Sequence, residues 1–169
     1  VGALGTVSKF ATAGAFYLVL ATDLLTDAQS ALGLTTDDAV QNQLNMARVA
    51  DVVIRANTLA NASAEQFSTA ITNGVGAAAR AAGKDVEEAT GALAVLADQG
   101  LKGAAAGTAL TGVLQMLPKT AIQNAAAFAR YGVEVFDAEG NMRSLADITD
   151  SMTEAFEGMS DAERAAAFD

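Results

Sequence analysis

A single proline in 169 residues is the feature that most restricts what this chain can fold into. Proline lacks the amide hydrogen that a helix needs and clashes with the preceding turn, so a chain almost free of it can form long helices. Hydrophobic residues make up 51% of the chain, and many of them are alanine, the strongest helix former. The sequence therefore predicts an all-α fold built from several alanine- and glycine-rich helices.

Capping residues and apolar spacing divide the chain into helices. Residues 3–32 are predicted to form one or two helices ending at Gly33, and Thr35 or Thr36 is predicted to cap a long helix that ends at Asn61. Pro118 is predicted to close a helix over residues 103–117, and another follows over 120–130. A capping residue followed three positions later by an acidic residue or glutamine predicts further helix starts. This pattern occurs at Ser63 with Gln66, Asp85 with Glu88, Ser144 with Asp147, and Ser160 with Glu163.

One short segment departs from the helical pattern. Polar and apolar residues alternate over 133–136, as in a strand, and a turn is predicted at Asp137, Gly140 and Asn141. The sequence thus predicts one small β-hairpin near residues 133–143. A calcium loop is a weaker interpretation of this turn, because its glycine stands at the fourth position and Ile148 occupies the twelfth.

The break near residues 32–36 predicts two parts: a helical arm over 1–33 and a compact helical domain over 36–169. The chain starts without methionine and stops just after an apolar stretch, so we interpret it as a fragment cut at both ends. A core this rich in alanine buries little area per residue, and we expect the isolated chain to associate or to be only marginally stable.

Composition argues against most chemistry. The chain has no histidine and no cysteine, which removes the usual base near neutral pH and the commonest metal ligands. We therefore expect no catalytic, cofactor-binding or metal-binding residues and no enzyme activity. The net charge of −10 disfavours sequence-specific nucleic-acid binding. Gly74 and Gly76 superficially match a dinucleotide motif, but no strand precedes them.

The segment from residue 103 to 117 has a strip of small side chains. Gly103, Gly107 and Thr111 are four residues apart and share one helix face, while Leu110 and Leu114 supply an apolar face beside it. A second helix can approach such a strip closely. Two interpretations remain open: close packing inside one domain, or a contact between subunits.

Seven short motifs follow one another along the chain: VADV (49–52), NAS (61–63), KDVEEA (84–89), LAVLADQGLKG (93–103), AGTAL (106–110), GVEVFDAEGN (132–141) and SDAER (160–164). In this order they resemble the core region of phage tail tape measure proteins of the lactococcal-phage type. The resemblance covers roughly residues 36–169, with Thr111 and Gly112 in place of the family's common arginines and Phe136 in place of its tyrosine.

This resemblance implies a structural role in the virion. Proteins of this family set tail length, anchor to the tail tip, nucleate tube assembly and are released for DNA ejection. It implies a location in the tail lumen and tip, and in the host cytoplasm during assembly. The implied partners are further copies of the chain, commonly three along the tail axis, the tail tip or hub and distal tail proteins, the tail tube protein and tail assembly chaperones.

Two other functions are consistent with parts of the sequence. A membrane-active or pore-forming helical protein is suggested by residues 10–22, which carry no charge. Thirteen residues are too few for a membrane-spanning helix, so we expect membrane contact only through other segments of a longer chain. A helical adaptor or a secreted substrate, unrelated to phages, is the remaining alternative.

Overall fold

The computed structural model describes residues 2–160 and 163–164, and almost all of its regular structure is helical. This confirms the all-α prediction. The helices are α1 (Gly2–Gly14), α2 (Leu18–Ala31), α3 (Ala39–Leu59), α4 (Ala64–Ala70), α5 (Gly76–Ala81), α6 (Val86–Asp98), α7 (Gly103–Gln123), α8 (Ala125–Tyr131) and α9 (Leu145–Phe156), with a π-helical turn, Ile71–Val75, between α4 and α5.

The chain divides into two compact units, unit 1 (Val1–Leu114) and unit 2 (Gln115–Asp169). In unit 1, α1 and α2 pack against α3, so the predicted boundary near residues 32–36 falls inside this unit. The Gln29 side-chain amide ties the end of α2 to α3, because its Nε2 donates to the Leu34 carbonyl at 3.1 Å and to Asn42 Oδ1 at 2.9 Å. A role for residues 1–33 as an arm of the longer protein stays a prediction.

Most predicted helix starts are present. Ser63 and Gln66 form a reciprocal capping box, and the Asp85 carboxylate accepts from the Glu88 amide. The start of α3 differs from the prediction, since its N-cap is Asp38 and not Thr35 or Thr36. Asp38 Oδ1 accepts from the amides of Val40 and Gln41, and a carboxylate beside these positive helix-end amides is the better acceptor.

The core of unit 1 combines a few large side chains with many alanines. Phe67, Ile71 and Val75, four residues apart, are buried with at most 2% exposure. The helices around them meet largely through alanine, which brings their axes close together. The buried alanines with at most 1% exposure in this unit are Ala21, Ala28, Ala64, Ala70, Ala79, Ala89 and Ala97.

The prediction that Pro118 closes a helix is wrong. Helix α7 continues through Pro118 to Gln123, and the chain leaves helical geometry at Asn124, where φ is −114° and ψ is 34°. A proline inside a helix removes one hydrogen bond but has a helical φ, so strong helix formers on both sides can carry the helix past it. Helix α8 then ends at Gly132, which adopts a left-handed φ of 71°.

The predicted β-hairpin is also wrong. Within the described residues the segment forms no strand, and a single antiparallel bridge joins Phe136 to Met142. The reason is length: only Met142 and Arg143 separate the turn from Ser144, which caps α9 by accepting from the Asp147 amide. Two residues are too few for a second strand.

Unit 2 has a small core around this turn. Among its described residues, the buried hydrophobic side chains are Ala121, Val133, Val135 and Ile148. Several larger side chains pack against this cluster but keep part of their surface exposed, namely Leu117, Phe128, Tyr131, Phe136, Met142 and Met152. The last predicted capping box is present at Ser160 and Glu163, whose side chains accept each other's amide protons, but most of the helix it would start lies outside the described residues.

In the part of the chain that the structure describes, no single helix is long and apolar enough to cross a membrane. Helices α1 and α2 meet the length and composition criteria only when taken together, and they are bent by 108° at their junction.

The Asp137 carboxylate organises the turn. Its Oδ1 accepts from the amides of Asn141 at 2.7 Å and Glu139 at 3.0 Å, and its Oδ2 accepts from the Asn141 side chain at 3.1 Å. The hydrogen bond from the Asn141 side chain, followed by those from backbone amides, lowers the pKa of Asp137. These bonds favour the charged carboxylate, so the turn loses stability when Asp137 is protonated.

We therefore expect the stability contribution of Asp137 to be present above the ordinary aspartate range and to be lost as pH falls through its lowered pKa. The measurement is NMR titration of the Glu139 and Asn141 amide protons, whose shifts should move together with a midpoint below the usual aspartate value. Asp137→Asn keeps an acceptor oxygen but cannot ionise, and should abolish this titration. A midpoint at or above the ordinary value would contradict the account.

Candidate functional site

The small-residue strip of α7 lies against the backbone of α4. A Cβ atom added at Gly107 would lie 2.8 Å from the carbonyl oxygen of Ala70 and 3.1 Å from its Cα. Real side chains do not come that close to a backbone, so only glycine permits this approach. Leu110 and Leu114, on the neighbouring face, are buried with 4% and 3% exposure.

The π-helical turn, Ile71–Val75, continues the surface of α4 on which α7 packs. Asn73 and Gly74 leave helical geometry there, since Asn73 has a ψ of 42° and Gly74 has a φ of 102°. The Asn73 side-chain amide donates to the Ala104 carbonyl at 3.0 Å and to Thr108 Oγ1 at 3.3 Å. A Cβ at Gly74 would lie 2.9 Å from Thr111 Oγ1, so glycine is needed here for both conformation and space.

The structure therefore places Gly107, Thr111, Leu110 and Leu114 in contact regions within unit 1. Gly103, at the start of α7, has a φ of 56° and no close neighbour, since the nearest atom to an added Cβ is Gln66 Cγ at 4.0 Å. A contact between subunits through these residues stays a prediction. The helix break at Asn73 and Gly74 was not predicted, although an Asn-Gly pair inside a helical pattern is a recognised signal of a break.

Acidic side chains near helix starts bind basic side chains of other elements. Arg48 on α3 donates from Nε to Glu87 Oε1 at 2.6 Å and lies 3.3 Å from Asp85 at the start of α6. The hydrogen bond to Glu87 raises the pKa of Arg48 above its ordinary value. Lys84 lies 3.4 Å from Glu88. Asp85 and Glu87 thus connect α3 to the start of α6, while the contact of Lys84 with Glu88 is local to that helix start.

Gly74 and Gly76, which superficially match a dinucleotide motif, allow close packing between helices. A Cβ at Gly76 would lie 2.7 Å from the Ala31 carbonyl carbon, so this glycine lets α5 approach the end of α2. Across residues 2–160 and 163–164, no group of three or more metal-ligating side chains comes together.

Comparison with known proteins identifies the kind of molecule in which this helical packing occurs. The family model described as phage-related minor tail protein matches residues 1–169. The chain belongs to the phage-related minor tail protein family. Within that family its sequence is similar to the "Tape measure protein" of Pneumococcus phage Dp-1, with 33% identity over 116 residues, or 69% of this chain. The resemblance to tape measure proteins seen in the sequence is confirmed.

This minor tail protein chain spans 10% of the length of the curated relative it matches. No solved structure matches it. Membership of the family supports a structural role in the phage tail and favours a non-enzymatic function. The closely packed helices around α7 are thus part of a tail component.

Two glycines of α7 allow a matched test of its close contact with α4. Gly107→Ala should destabilise the chain by about 1–3 kcal/mol, because the new methyl group overlaps the α4 backbone. Gly112→Ala lies on the same helix with nothing within 4 Å of the added Cβ, and should stabilise it by roughly 0.5–1 kcal/mol through helix propensity. Thermal or urea unfolding measures both, and equal effects of the two changes would contradict the close approach.

Proposed function

We propose that this chain is an internal part of a phage tail tape measure protein and serves as an assembly anchor at the tail tip. The observation that carries the proposal is the similarity to the tape measure protein of Pneumococcus phage Dp-1, together with the family match along the whole chain. The whole protein would set tail length, nucleate tube assembly and leave the tail when DNA is ejected.

The helix lengths support a folded anchor more than a ruler. The longest helices of the described residues, α3 and α7, have 21 residues each, or about 31 Å at 1.5 Å per residue. They sit among short helices joined by capped turns and glycine breaks. The length-measuring stretch therefore belongs to other parts of the longer protein, while this region supplies a folded surface for other tail proteins.

The charge suits a place along the DNA path. The chain carries a net charge of −10, and residues 134–169 alone contain ten acidic residues and two arginines. A surface of this sign repels the phosphate backbone, so DNA can pass without being held. The tail lumen and tip are the proposed location in the virion, and the host cytoplasm is the proposed location during assembly.

The proposed partners follow from that location. They are further copies of the chain, three along the tail axis, the tail tip or hub and distal tail proteins, the tail tube protein, and the assembly chaperones. The alanine-rich core supports association, because small side chains bury little apolar area inside one chain and leave stability to be gained between chains.

The test removes the anchor from the phage. We expect deletion of residues 36–169 from the natural gene to prevent formation of complete tails, and electron microscopy of the lysate measures this. The unaltered phage serves as the reference: mass spectrometry of its purified particles should detect the tryptic peptide of residues 49–55 at a few copies per particle.

Two results would contradict the proposal. Complete tails with normal tips in the deletion phage would rule out the anchor role. Abundant unaltered particles without the peptide would rule out a place in the virion. Substituting Gly112→Ala in the same gene is the control for the genetic procedure, since that position has free space around it.

A further inference from the structure

The corner between α1 and α2 lacks the residues that normally end and begin helices. Helix α1 ends with Ala15 in the left-handed region, at a φ of 57°, while the Phe16 amide donates back to the Ala11 carbonyl at 2.8 Å. This hydrogen bond is typical of a helix end that has glycine at the left-handed position. Here the glycine is Gly14, one residue too early, and Ala15 carries the strain.

The start of α2 is equally poorly specified. Its N-cap is Tyr17, whose side chain makes no capping hydrogen bond. Residues 10–22 contain no proline and no charged residue, so nothing in this stretch forbids a helix that runs continuously from residue 2 to residue 31. The corner is thus a strained hinge inside a sequence that can form one straight helix.

The same corner exposes apolar side chains. Tyr17 is 89% exposed, Val19 75% and Leu18 47%. Helix α1 itself is well packed, since Val7, Phe10 and Ala11 are buried. Opening the hinge in a single chain would expose Val7, Phe10 and Ala11, and nothing would replace the contacts that they lose.

A second copy of the chain can replace the contacts that α1 loses when the hinge opens. We propose that α1 is exchanged between copies: the hinge straightens, and α1 of one copy packs on α3 of another in the same way that it packs on its own. Every contact between α1 and α3 is then kept, the strain at Ala15 is relieved, and the exposed hinge side chains of two copies can pack together. A strained hinge beside a packed helix favours such an exchange.

The contact between α1 and α3 fits an identical copy as the occupant. Lys9, the single charged residue of α1, lines a small cavity of about 200 Å³ together with Phe10 of α1 and with Ala50 and Asp51 of α3. A second copy presents the same α3 side chains, so α1 meets the same surface there as in its own chain.

Neighbouring substitutions should shift the exchange in opposite directions. A Cβ at Gly14 would overlap the Phe16 ring at the corner, and alanine also favours a straight helix, so Gly14→Ala should tighten association of the chain about tenfold. Ala15→Gly removes the strain and should weaken association about tenfold. Analytical ultracentrifugation over a range of concentrations measures the dissociation constants. No change, or the opposite order, would overturn the proposal.

A disulfide distinguishes an exchanged helix from simple association. The chain has no cysteine, and a Cβ at Gly2 would meet the side-chain amide of Gln43 on α3. Gly2→Cys with Gln43→Cys should therefore form a disulfide between α1 and α3, and Gln43→Cys alone is the control for nonspecific crosslinks. After oxidation at associating concentrations, a non-reducing gel should show the pair as covalently linked chains.

The exchange gives a structural route to the self-association proposed above, and the outcomes separate the two. Associated chains whose disulfide is within one chain would overturn the exchange and leave self-association standing. A chain that stays monomeric at every concentration would overturn both. The tail role is tested independently by the content of the virion.

Discussion

Helices α4 and α7 meet backbone to backbone, with Gly107 lying on the Ala70 carbonyl, and the place of the first part of α7 in unit 1 depends on this approach. The same principle recurs where Gly76 meets the end of α2 and where buried alanines line α2, α4 and α6. Close approach replaces large side chains as the source of packing, because dispersion forces act only over short distances. The break at Asn73 and Gly74 lies beside α7. Gly74 leaves room for Thr111, and the Asn73 side-chain amide donates to the Ala104 carbonyl of that helix.

Local chemistry was predictable from the sequence, and the effects of context were not. The capping boxes at Ser63 and Ser160 depend on side chains three residues apart, so spacing alone identified them. Pro118 failed as a helix end because the residues on both sides favour helix more than the lost hydrogen bond opposes it. The hairpin failed because the helix start at Ser144 uses the residues that a second strand needs. The partner of the α7 strip could not be read from the sequence, since it lies more than thirty residues away.

Family membership and packing together describe a structural component. Its acidic side chains are used for caps, turns and links between helices, as at Asp38, Asp137 and Glu87. Its glycines are used for close contact and for helix ends. The constraints on its sequence fall on small residues at close contacts and on the side chains that form caps and turns. The ordered motifs that resemble tape measure proteins include one constraint of each kind, the strip of α7 and the Asp137 turn.

The modest core of unit 2 has a mechanical consequence. Among the described residues of unit 2, four buried side chains form the core and three of them are no larger than valine, whereas unit 1 buries two phenylalanines and several leucines and valines. When the chain is pulled from its ends, resistance depends on the barrier to unfolding of each unit. We therefore expect unit 2 to open before unit 1 when the chain is pulled, because its described core has fewer apolar contacts to break. A tail component built in this way can release length under tension while its larger unit stays folded.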